Sequence, residues 1–122
     1  MILADTSVWV DHVRRRNADL VELLEAGEIL THRFVIGEIA MGNLPERSSF
    51  LDAMSKLRRA ISATDEEAMS LMERERLYGR GIGFVDLHLL ASIRLTLEAT
   101  LWTRDGRLRD IARSLGVAEP RT

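Results

Sequence analysis

Ile2-Leu3-Ala4-Asp5-Thr6-Ser7 is a minimal apolar strand that runs straight into a carboxylate, followed by two hydroxyl residues and the start of a helix. In an open α/β sheet the ligand crevice lies just beyond the carboxyl ends of the strands, so an acid in that position points into it. The same alternation continues outward. Ile29-Leu30-Thr31 and Ala99-Thr100-Leu101-Trp102-Thr103 read as two further strands, Ala60-Ile61-Ser62 as a weak one and Val117-Ala118 as an added edge. Between them lie segments of helical periodicity. Val8, Trp9 and Val13 mark a helix ending in Arg14-Arg15-Arg16, and a second covers about 18–26 before the stop Gly27. A third covers about 33–41, broken by Asn43-Leu44-Pro45, and a fourth about 46–57. Thr64 and Glu67 form a capping box for a helix running to about Tyr78. The most apolar helix covers about 86–98, and the last about 105–115 before Gly116. Short strands alternating with helices specify a three-layer α/β/α sandwich around a short, mostly parallel sheet.

The chain has 122 residues, enough for a single domain that buries its core without cross-links. Cysteine is absent, which removes disulfide frameworks and thiolate metal sites and fits a reducing compartment. No apolar run approaches the ~18–20 residues that span a bilayer, so the expected location is the cytoplasm. The net charge of −2 argues against a uniformly basic nucleic-acid surface, but the cations are sixteen Arg and one Lys. Arg presents a planar fork suited to phosphate and carboxylate, so a basic rim around an acidic pocket is compatible with the total.

Two strands end in an acid before a helix, at Asp5 and, after Thr103-Arg104, at Asp105. Parallel strands share a direction, so both acids emerge at one edge of the sheet. Asp86 lies in register with Leu90, Ile93 and Leu97, which places an ionisable group on the buried stripe of its helix. Glu38 follows Val35 by three and adjoins the apolar side of its own helix. Helix capping is the competing role for the three Asp residues, and a solvated face for Glu38; capping and site roles are compatible. Two carboxylates ~4 Å apart repel by roughly 4 kcal/mol at an effective dielectric of about 20, so a cluster of four needs a balancing cation. Oxygen-only donors favour Mg²⁺ or Mn²⁺, and such ions support phosphodiester hydrolysis.

The stretches ILADTSVWVDH around Asp5, VIGEIAMG around Glu38, VDLHLLASI around Asp86 and LWTRDGRLRDIA around Asp105 together resemble PIN-domain ribonucleases. Within these, the resemblance is to the VapC toxins of bacterial type II toxin–antitoxin pairs. It implies that Asp5, Glu38, Asp86 and Asp105 hold Mg²⁺ or Mn²⁺ and that Thr103 supports the site by hydrogen bonding. Thr6 and Ser7 match the polar pair after the first acid. It also implies a homodimer, a VapB-like antitoxin that inserts into the active-site groove in a toxin–antitoxin hetero-oligomer, and cleavage of structured RNA such as transfer or ribosomal RNA. Many relatives carry a further acid and an aromatic after the Asp105 position, where this chain has Gly106, Arg107 and Leu108, so one versus two metal ions stays open.

Arg14, Arg15, Arg104 and Arg107 are candidate RNA contacts near the pocket, with Arg107 alternatively balancing the acids. His12, His32 and His88 lack metal-ligand spacing and read as structural or surface residues, and Trp9 and Trp102 as core. Gly79, Gly81 and Gly83 follow a helix and lack the Lys-Ser/Thr of a phosphate loop, so they read as a hinge that lets Asp86 reach the pocket. The competing function is a catalytically silent module whose acidic pocket binds an Arg-bearing partner.

Overall fold

The structure, a computed structural model, describes residues 1–121. Three strands, β1 (Ile2–Ala4), β2 (Ile29–Leu30) and β3 (Thr100–Trp102), form a parallel sheet in the order β2-β1-β3. Ile2 pairs with Ile29 and Leu3 with Leu30 on one side of β1; Ile2, Leu3 and Ala4 pair with Thr100, Leu101 and Trp102 on the other. Seven helices cover it: α1 (Thr6–Arg14), α2 (Ala18–Glu25), α3 (Arg33–Ala40), α4 (Arg47–Ser55), α5 (Asp65–Glu75), α6 (Phe84–Leu95) and α7 (Gly106–Ser114). Parallel neighbours require crossovers, and helices on the sheet faces bury strands on both sides, which is why β1 is apolar at every position. The result is an α/β sandwich of the expected kind.

α1 packs on β1 and α3, and α3 on α4; α5 and α6 pair, while α6 and α7 both meet β3. Leu3, Leu30 and Leu101 from the three strands are fully buried among Val8, Val35, Leu90 and Leu108 from four helices. Trp9 and Trp102 are core residues, and Trp9 meets Phe50 edge-on at 6.0 Å between ring centres.

Several expectations shift. Residues 60–62 form no strand: the chain makes a single parallel bridge one residue earlier, between Thr31 and Arg59, and then turns away to α5. Of the proposed edge strand only a bridge between Leu101 and Ala118 forms. α6 begins at Phe84 and ends at Leu95, leaving Leu97 outside the helix and 86% exposed, so the stripe runs through Leu90 and Ile93 and stops there. Asp86 therefore stands three residues inside α6, whose N-cap is Gly83.

Candidate active site

Asp5 follows β1 directly and is the N-cap of α1. It is only 5% exposed, and three donors hold it. Ser7 Oγ donates to Oδ1 at 2.5 Å, Val8 N donates to the same oxygen at 3.3 Å, and Thr103 Oγ1 donates to Oδ2 in a short bond. Burial raises its pKa, and the bonds from Ser7, Thr103 and Val8 pull against that rise by favouring the carboxylate.

The parallel pairing of β1 with β3 places Thr103 beside Asp5, and Thr103 then ties the two strand ends together. While its hydroxyl donates to Asp5, its oxygen accepts from the Asp105 amide at 3.0 Å. Ser7 makes the reciprocal link, accepting from the Arg104 amide at 2.9 Å. Asp105 caps α7, with Oδ1 accepting from Leu108 N at 3.0 Å, and is exposed. The capping and pocket placements of Asp5 and Asp105 thus coincide.

Glu38 lies exposed on α3 and does not turn inward; Oε1 accepts from Thr6 Oγ1 at 2.6 Å. Asp86 is half-buried, and its Oδ2 accepts from Gly83 N at 3.3 Å. Burial raises the Asp86 pKa most, the Gly83 amide opposes, and the charges of Asp5, Asp105 and Glu38 raise it further. The four acids, carried by the β1 end, α3, α6 and the β3–α7 junction, therefore share one electrostatic space. Like charges of that density disfavour full ionisation without a cation.

Among the described residues, no three His, Cys, Asp or Glu side chains form a ready-made coordination shell. The fit to a divalent ion is one of charge and donor type. Repelling carboxylates supply hard oxygen donors only, and the hydrogen bonds described engage a single oxygen of each of Asp86, Asp105 and Glu38.

Of the candidate RNA-contacting Arg residues, Arg14, Arg104 and Arg107 lie beside elements that carry the acids, and Arg15 lies at the far end of α1. Arg104 Nη1 is 3.5 Å from Asp11 Oδ2. Arg107 packs against Gly81, where an added Cβ would stand 2.5 Å from Nη1, so its guanidinium lies on the glycine loop. Arg14 lines a groove of about 260 Å³ with Glu38, Trp9 and Leu44, and Arg15 is exposed just past α1. Thr6 holds Glu38 and Ser7 holds Asp5, roles whose signal in the sequence is a pair of hydroxyls immediately after an acid at a strand end; no sequence signal marks Asp11, the ion-pair partner of Arg104.

Residues 2–114 match the PIN domain family. The chain is also 46% identical over 118 residues to Ribonuclease VapC32 of Mycobacterium tuberculosis, in two strains of that organism, with 97% of this chain and 95% of the relative covered.

Proposed function

The chain belongs to the PIN-domain family, with a VapC ribonuclease among its relatives, and from that premise we propose that it is a metal-dependent endoribonuclease toxin acting on structured RNA. The observation that carries the proposal is the placement of four acids from separate segments within one another's field, the charges of Asp5, Asp105 and Glu38 all acting on the half-buried carboxylate of Asp86. Asp5, Asp86 and Asp105, completed by Glu38, would hold Mg²⁺ or Mn²⁺, which when bound supplies an activated water and offsets charge on the leaving oxygen of a phosphodiester. Thr103 and Ser7 keep Asp5 aimed and ionisable despite its burial. Thr6 holds Glu38 at the rim, and the Gly83 amide orients Asp86. Electrostatics of this preorganised kind contribute most where water is excluded, which suits the buried Asp5.

The family reading extends to partners: transfer or ribosomal RNA as substrate, a VapB-like antitoxin as inhibitor, a homodimer in solution and a cytoplasmic location. No helix among the described residues is long and apolar enough to cross a membrane. Asp5→Ala and Asp86→Ala should each abolish Mg²⁺-dependent cleavage of a transfer RNA pool by the purified protein. Circular dichroism should show the fold retained. Cleavage by both variants at the wild-type rate would refute the assignment.

The competing reading is a catalytically silent module whose acidic pocket binds an Arg-bearing partner. Calorimetric titration with Mg²⁺ and Mn²⁺ separates the two, because the module binds neither ion and cleaves no RNA.

A further inference from the structure

The chain has six aromatic residues, and four of them are buried or packed: Trp9, Trp102, Phe34 and Phe50. Tyr78 and Phe84 are 57% and 52% exposed. Both rings line one groove of about 290 Å³, together with Ile82, Leu87, Gly79 and Gly83. We propose that Tyr78 and Phe84 form a stacking site for an unpaired nucleobase of the RNA substrate, next to the phosphate that is cleaved.

Position is the first argument. Phe84 opens α6 two residues before Asp86, and Gly83, which lines the groove, is the residue whose amide holds the Asp86 carboxylate. A base in the groove thus touches the residue whose amide holds Asp86.

Preorganisation is the second. The Phe84 ring meets His88 edge-on at 4.7 Å, and His88 in turn meets Phe34 at 5.1 Å. A ring braced on one side and open on the other gives up little freedom when a base stacks on it. Sequence-tolerant recognition of single-stranded RNA works this way, since every base has a π face.

Charge is the third. The loop between the two aromatics carries Arg80, exposed, and receives the Arg107 guanidinium against Gly81. Two cations on the loop that joins two exposed rings match a nucleotide, which presents phosphate and base together. A docking protein helix would instead need a broad apolar face, and the loop that borders this groove carries Arg80 and the Arg107 guanidinium.

The inference rests on the endoribonuclease reading, and the experiment separates the two. Affinity is measured by fluorescence anisotropy for a labelled single-stranded oligoadenylate, and for an abasic ribose-phosphate oligomer of equal length, with Ca²⁺ replacing Mg²⁺. Tyr78→Leu and Phe84→Leu should each weaken oligoadenylate binding by about 5- to 150-fold, the range expected for a lost base–aromatic stack. Tyr78→Phe and Phe84→Tyr should bind like wild type, which separates loss of the ring from loss of fold. The abasic oligomer should bind every variant alike. On a transfer RNA pool with Mg²⁺, the Leu variants should show raised KM and unchanged kcat. Leu variants that match wild type on oligoadenylate overturn the stacking site, as does an equal loss on the abasic oligomer. A change in sedimenting mass with RNA affinity intact also overturns it, by making the face a contact between copies of the chain. If wild type neither binds nor cleaves RNA, the ribonuclease reading itself fails.

Discussion

Asp5 accepts from the Val8 amide in the first turn of α1 and is buried between two hydroxyls, so one side chain serves both helix and site. That overlap limits what sequence can reveal, because an acid before a helix is the same letter whether it only caps or does more. Thr103 is the position where the difference can be measured. Its hydroxyl is the donor to Asp5 and the acceptor for the Asp105 amide, and Val keeps the shape while losing both bonds. Since the Thr103 bond opposes the rise in the Asp5 pKa, Thr103→Val should move that pKa further up and shift the acid limb of the cleavage pH profile to higher pH. Activity should fall by about 10- to 100-fold, as for other residues that orient a metal-binding carboxylate. Thr103→Ser should restore the limb. A profile that scales down without shifting would show Thr103 to be packing alone.

α3 illustrates how an element is held in place by a residue that reads as unremarkable. His32 is fully buried and caps α3, its Nδ1 accepting from Phe34 N at 3.0 Å, so its proton belongs on Nε2, which lies 3.0 Å from Ser92 Oγ on α6. Ser92 Oγ also accepts from Ala63 N. One imidazole thus ties the helix bearing Glu38 to the helix bearing Asp86. Burial, with help from Arg33, His88 and Arg59, lowers its pKa from 6.5 to about 4. A folded-state pKa below the unfolded value adds stability that is present above 6.5 and is lost as pH falls through about 4. His32→Ala should cost about 1–3 kcal/mol in urea unfolding at neutral pH, and the difference from wild type should shrink across that window. His32→Asn should recover part of the loss by restoring the cap. The capping residue Thr64 and the stops Gly27 and Gly116 make the start of α5 and the ends of α2 and α7 legible, whereas α5 ends at Glu75, short of Tyr78. The start of α6 is not legible, because Gly83 caps it without a side chain and Phe84 resembles loop hydrophobics. Residues 60–62 misled because apolar and β-tolerant letters do not show where a neighbouring strand runs out.

For the whole molecule, the acid cluster sets site against stability. The Asp5 and Asp86 pKa values are raised above the ordinary 3.8, so the carboxyl form is favoured on folding. Their stabilising contribution is complete below 3.8 and is lost as pH rises, which leaves both as a cost at neutral pH. Asp86→Asn should therefore raise the metal-free melting temperature at pH 7, with the gain fading near pH 4. Mg²⁺ at 100 times its Kd should stabilise wild type by about 2.7 kcal/mol and leave Asp86→Asn almost unmoved. A melting temperature that ignores Mg²⁺ and Mn²⁺ in wild type would count against the metal site. The meeting of two acid-bearing strand ends was legible because parallel strands share a direction; the order β2-β1-β3 was not, since strands of two or three residues carry no pattern that names their neighbours. That order has a temporal side. The strand made first is the central one, and the bond between Asp5 and Thr103 joins residues 98 positions apart. At about 5–20 residues per second, a ribosome takes roughly 5–20 s to supply the later partner. Throughout that interval β1 has no β3, the Asp5 carboxylate has no Thr103, and the four acids cannot meet. The proposed site is withheld from a nascent chain until almost the entire domain has been translated.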